Sequence, residues 1–174
     1  AVPNAGYHFI RWTDGIVMAE RTDRFVVANL TTTARFERSK GTVVVEPTPA
    51  QASWTFVDGD GVQHSGVGYQ TVSNVPTGQI SIIWNDLSGY HRPMETPQTL
   101  NRNGIVVFDG AYSRQTGTVT VNVTPDTATW TLQDGDAVER VHTGDKTLEN
   151  VPTGVIRVEY HDLQGYAKPG TATK

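Results

Sequence analysis

The sequence predicts an all-β protein of tandem small β-sandwich modules, on three observations. Residues 41–98 and 117–174 align without a gap at a shift of 76, with roughly 26 positions identical, so the chain is a repeat array. Between turn signals, apolar and polar residues alternate with a period of two, the pattern of half-buried strands. The 17 Gly and 9 Pro, with Thr and Val prominent in the periodic stretches, are a turn-rich β composition, and no helix of convincing length is visible.

Taken in order, the head opens with Ala1-Val2-Pro3, which reads as the end of a strand. Lacking an initiator Met, the chain is expected to be a processed or excised piece of something longer. Gly6 to Trp12 reads as a strand with Tyr7, Phe9 and Arg11 on one face and His8, Ile10 and Trp12 on the other. Asn29 to Arg38 follows, and its last stretch, Ala34 to Arg38, matches Gly110 to Arg114 at the same shift of 76.

In the first copy the inward set is Val43, Val45, Ala52, Trp54, Phe56, Ile80, Ile82 and Trp84. In the second it is Val119, Val121 and Val123, then Ala128, Trp130 and Leu132, then Ile156, Val158 and Tyr160. Packing two sheets face to face buries these sets, hence the sandwich. The connections carry turn chemistry: Thr48-Pro49, Asp58 to Gly61, Pro76-Thr77-Gly78 and Gly89-Tyr90, with counterparts at Thr124-Pro125, Asp134 to Asp136, Pro152-Thr153-Gly154 and Gly165-Tyr166. Between the copies, Thr96 to Leu100 and Ile105 to Tyr112 read as a hairpin joined at Asn101 to Gly104, because Asn-Gly favours a tight hairpin turn. The second copy reaches Lys174 before any such pair, so its sandwich is expected to lack an edge. The expected division is a partial repeat over 1–40, a first sandwich with its closing pair over 41–116, and a second, truncated one over 117–174.

Bulk chemistry removes several function classes. Net charge is −4 with no run of Lys or Arg, so the counterion release that drives general nucleic-acid binding has no source. No apolar run has the length of a membrane span, and the N-terminus lacks the form of a signal peptide. With no cysteine, disulfides, thiolate metal sites and a cysteine nucleophile are excluded.

The copies resemble PEGA-type bacterial surface repeats through an opening Gly-x-Val-x-Val strand at Gly117 to Val121, Pro125 to Trp130, Gly144-Asp145, Asn150 to Gly154 and the closing Gly165 to Pro169. Ala1 to Pro3, Gly6 to Trp12, Asp14-Gly15 and Ala34 to Phe36 are similar to the C-terminal part of a divergent internalin-B-type repeat. These resemblances imply immunoglobulin-like or PEGA-like sandwiches after a partial β-rich repeat. They also imply an exported bacterial protein in which such repeats act as stalks, spacers or adhesive modules at the cell surface or outside the cell.

Few constellations suggest chemistry. His8, His64, His91, His142 and His161 fall opposite other residue types in the repeat, and no pair has metal-ligand spacing. Asp58 to Gly61 and Asp134 to Asp136 present alternating carboxylates, which makes Asp134, Asp136 and Asp145 calcium candidates, but each loop has too few ligands and reads better as a hairpin turn. Trp54 and Trp130 read as core. Trp12 is the candidate for stacking on a sugar or another ligand. No Gly-x-Ser-x-Gly elbow occurs, and the carboxylates kept in both copies stand at turns or strand ends.

The expected function is therefore a non-catalytic structural, spacer or adhesive segment with no cofactor, no catalytic residue and no enzyme activity. Alternatives are a carbohydrate- or protein-binding accessory module of a secreted hydrolase, or a strand-exchanging subunit of an extracellular filament. Expected partners are neighbouring repeats of the same parent, a surface glycan or protein, or other copies through sheet edges, and neither nucleic acid nor a membrane span.

Overall fold

The computed structural model describes all 174 residues, Ala1–Lys174. The protein is all-β, and no helix is long and apolar enough to cross a membrane. In chain order the strands are β1 (Tyr7–Trp12), β2 (Ala34–Arg38), β3 (Lys40–Thr48), β4 (Ser53–Val57), β5 (Gln63–Val67), β6 (Gln70–Pro76), β7 (Gly78–Trp84), β8 (Tyr90–His91), β9 (Gln98–Leu100) and β10 (Ile105–Ala111). They continue as β11 (Ser113–Arg114), β12 (Thr116–Val121), β13 (Thr129–Gln133), β14 (Glu139–Thr143), β15 (Lys146–Pro152), β16 (Arg157–Tyr160) and β17 (Ala172–Thr173). Two compact units result: residues 1–85 with 92–111, and residues 112–174 with 86–91.

In the first unit β1 and β2 form an antiparallel pair. The sandwich that follows has a sheet ordered β10-β3-β6 and a sheet ordered β5-β4-β7-β9. The inner residues follow the predicted alternation: Val43, Val45, Ala52, Trp54, Phe56, Ile80, Ile82 and Trp84 are all buried. Strand β3 is flanked on both sides, antiparallel by β6 and parallel by β10 in the register Ile105↔Thr42 to Ala111↔Thr48. Leu100, Val106 and Phe108 close the core.

The expected hairpin over Thr96 to Tyr112 is not one. Strand β9 pairs with β7, whereas β10 pairs with β3 in the opposite sheet. The Asn101 to Gly104 turn is tight, with Gly104 N donating to Asn101 O at 2.9 Å, but it carries the chain across the sandwich. Asn103 adopts φ 57°, so the Asn-Gly signal located a turn correctly without fixing which sheet receives each arm.

The second unit repeats the plan with fewer strands, as β12-β15 facing β14-β13-β16-β17. Its core is Val121, Trp130, Leu132, Val151 and Val158, with Val119, Val123, Leu148, Ile156 and Tyr160 packed against it. The short pair β11-β8 belongs to this unit, so the Asp86–His91 turn is part of the first copy in sequence and of the second unit in contacts. Strand β12 pairs only with β15.

One repeated local device shapes both sandwiches. Asn74 and Asn150 have φ 60° and 55°, and the ladders between β3 and β6 and between β12 and β15 slip beside them, at Gly41/Thr42 and Gly117/Val119. Asn tolerates the left-handed region that such a bulge requires better than other non-glycine residues.

Candidate functional site

The residues kept in both copies converge on a structural cluster at one end of each sandwich. Asp58 begins the first turn and is 5% exposed; its Oδ1 accepts the Asp60 and Val62 backbone N–H groups, each at 2.9 Å. Its Oδ2 lies 2.8 Å from His64 Nε2. Asp134 repeats this at 1% exposure, with Asp136 N and Val138 N each at 3.0 Å and Arg140 Nη1 donating to Oδ2 at 2.7 Å. Burial alone would raise both carboxyl pKa values. The hydrogen bonds outweigh it, from His64 and then the backbone at Asp58, and from the backbone and then Arg140 at Asp134, so both lie below the ordinary value of 3.8.

The glycine after each aspartate is required by close approach. A Cβ on Gly59 would stand 2.0 Å from Thr77 O, and one on Gly135 would stand 2.1 Å from Thr153 O. The Asp-Gly turn and the Pro-Thr-Gly turn therefore lie directly on one another.

An arginine then locks a third turn onto these two. Arg38 donates from Nε to Asp60 Oδ1 at 2.7 Å, from Nη2 to Thr77 O at 2.6 Å and from Nη1 to Gly6 O, and lies 5.4 Å from the Tyr7 ring centre. Arg114 repeats every contact: Asp136 Oδ1 at 2.9 Å, Thr153 O, Gly89 O and, 5.0 Å away, the Tyr90 ring. The planar fork serves three carbonyl or carboxylate acceptors and an aromatic face at once, which lysine cannot do. The match of Ala34–Arg38 to Gly110–Arg114 at the repeat shift was the sequence signal for this clamp, but sequence reasoning did not assign the arginine a role.

Gly6 and Gly89 both have φ 78°, and the arginine Nη1 lies 1.8 Å and 2.2 Å, respectively, from where a Cβ would stand. Gly165 forms the same turn, with φ 84° and Tyr166 N donating to Leu163 O at 3.1 Å, as Tyr90 N does to Leu87 O at 3.0 Å. Nothing lies within 4 Å of its Cβ position.

The second sandwich also has an open flank, a groove of about 720 Å³ between β12, β15, β16 and β17. In the first sandwich the corresponding space is filled: a Cβ on Gly41 would stand 2.7 Å from Leu100 Cδ1 and from Gly104 O, whereas nothing lies within 4 Å at Gly117. Val43 and Ile80 are 0% exposed, while their counterparts Val119 and Ile156 are only partly buried.

The sequence-derived candidates are dispersed. Asp134 is held by Arg140, Asp136 by Arg114, and Asp145 accepts from Val123 N at 2.7 Å; no group of three His, Asp or Glu residues is gathered anywhere. Trp12 donates from its indole to Met18 O at 3.0 Å, and Arg21 lies 5.2 Å from its ring centre. Its expected separation from Phe9 is corrected by a bulge between Phe9 and Arg11, which brings the Phe9 and Trp12 rings to 5.8 Å. His8 meets Ser39, His64 meets Asp58, His161 lies between Thr129 and Thr131, and His142 packs on Trp130 at 4.7 Å.

Trp54 and Trp130 are core residues, 1% and 0% exposed, donating to Gly68 O at 2.9 Å and Gly144 O at 3.0 Å. The two glycine loops, which differ in their next residue, Tyr69 or Asp145, thus share a backbone role.

A family model for the divergent InlB B-repeat domain matches residues 1–40. Among solved structures the chain is similar in fold to the Bacillus anthracis TIE protein, with a TM-score of 0.54 and 14% identity over 83% of this chain and 34% of that one. It therefore spans about a third of that protein's length. A Streptococcal ancillary pilin aligns over 99% of this chain and 72% of its own, with 16% identity and a TM-score of 0.35. No curated protein sequence matches the chain.

Proposed function

We propose that this chain is a non-catalytic spacer segment of a larger bacterial extracellular or cell-surface repeat protein. In this reading residues 1–40 are a partial internalin-B-type repeat, 41–116 a PEGA-like sandwich with its closing strands, and 117–174 a second such sandwich. The observation that carries it is where the repeat spends its identity. The copied residues Asp58, Gly59, Asp60, Thr77 and Trp54 hold turns and core together, as do their counterparts in the second copy. A reaction centre needs one asymmetric set of converging groups, whereas these are duplicated and already saturated with structural hydrogen bonds. The family match at 1–40 supports the bacterial repeat context.

Two measurements test the reading. The purified chain, incubated with polysaccharide, ester and peptide substrates, is expected to give no turnover; activity abolished by changing a single Asp or Glu to Ala overturns the non-catalytic assignment. Antibody labelling of intact cells that carry the parent gene is expected to reach the segment, and labelling only after lysis overturns the surface assignment.

A further inference from the structure

We propose that the open flank of the second sandwich is a docking site for a strand of the same polypeptide beyond β17, running parallel to β12 and ending in an arginine that enters the Gly165-Tyr166 turn. This inference rests on the tandem-module reading, and it names what completes the second module.

The first sandwich supplies the template. There β9 adds to β7 in the register Ile80↔Gln98, and seven residues after Gln98, from Ile105, β10 lies parallel to β3 with Val106 and Phe108 buried. In the second sandwich β17 adds to β16, and Lys174 and Ile156 exchange both backbone hydrogen bonds, at 2.8 and 3.0 Å. At the repeat shift of 76, Lys174 corresponds to Gln98 and Ile156 to Ile80. The polypeptide thus already stands where the first copy crosses to the other sheet.

The pattern of the occupant follows from the walls. The flank facing Val119, Val121, Val151 and Ile156 calls for an apolar residue at every second position, as Val106 and Phe108 provide in the first sandwich. A glycine then has to pass the Tyr160 ring, because a Cβ on Gly110 would stand 2.4 Å from the Trp84 ring at the equivalent place. Four residues past that glycine comes the arginine, as Arg114 follows Gly110. The Gly165 turn is preformed for it, because it shares the φ and the internal hydrogen bond of the two turns that already hold a guanidinium. A second copy of this chain is a poorer occupant, since its own β10 is committed to β3.

The test lengthens the full chain at Lys174 with a duplicate of its own residues 99–116. Amide hydrogen exchange over Gly117–Val121 is expected to slow by at least about tenfold relative to the original chain, because an exposed ladder edge becomes paired. Phe108→Asp within the duplicate should abolish that slowing. Arg114→Ala within the duplicate should leave β12 protected while returning the Tyr166 ring resonances to their positions in the original chain.

If the duplicate fails to slow exchange, the same 18-residue peptide added in trans at millimolar concentration provides the second measurement. Absence of protection in both arms overturns the docking site, and so does equal protection by the original and Phe108→Asp sequences. Concentration-dependent oligomers of the original chain, with β12 protected, overturn the in-chain occupant in favour of a second copy. None of these outcomes bears on turnover, so this inference and the non-catalytic reading fail separately.

Discussion

Trp130 shows how much a single polar atom contributes to a small core. Its indole is fully buried, and its N–H satisfies the Gly144 carbonyl, which itself follows a φ 70° turn. Trp130→Phe should keep most of the packing but leave that carbonyl unpaired, a cost of about 1–3 kcal/mol, measurable as a lower denaturant midpoint of the second unit. Trp54→Phe should act likewise on the first.

The buried aspartates give the modules an acid limit. Asp58 and Asp134 have folded-state pKa values below 3.8, so the stability they contribute is fully present above that value. It is lost as pH falls through the lowered folded values. Acid unfolding should therefore begin below about pH 4, and Asp134→Asn should flatten the pH dependence of the second unit while lowering its stability at neutral pH.

At the scale of elements, the arginine clamps join turns that lie far apart in sequence. Arg114→Lys keeps the charge but cannot serve Gly89 O, Thr153 O and Asp136 together, and should cost the second unit about 1–3 kcal/mol. Arg102→Ala, in an exposed turn, should change little, and thermal unfolding of the two variants checks the contrast.

The strands that alternation reveals, β3, β4, β7, β12, β13 and β16, were legible because one face is apolar and the other polar. Strands β5 and β6 carry no such signal, since Gln63–Val67 and Gln70–Pro76 bury little and are specified by pairing with β4 and β3. The partner of β10 was equally illegible, because a turn signal fixes where a chain reverses and not which sheet it joins. The clamp's aspartates were visible as turn residues, but its geometry depends on three segments meeting, which no local pattern encodes.

At the scale of the molecule, the two units should differ in stability although they share a plan. The first has β10 and Leu100 closing its core, whereas the second leaves Val119, Ile156 and Tyr160 partly buried along a groove. Less apolar area removed from water means less stabilisation, at roughly 25 cal/mol per Å². Residues 112–174 are therefore expected to lose hydrogen-exchange protection at a lower denaturant concentration than residues 41–84. Coincident loss in the two stretches would show that the open flank costs the second unit nothing.

The parallel pairing of β3 and β10 has a mechanical consequence. The chain enters the first sandwich at Lys40, the start of β3, and leaves it at Ala111, the end of β10, with seven residue pairs in register between them. Tension applied at those two points slides the strands along each other and loads the whole ladder in shear, so its hydrogen bonds must fail together rather than peel one by one. In single-molecule stretching between residues 40 and 111, the first sandwich should yield at markedly higher force than when it is pulled between residues 40 and 76, where antiparallel β3 and β6 unzip from one end.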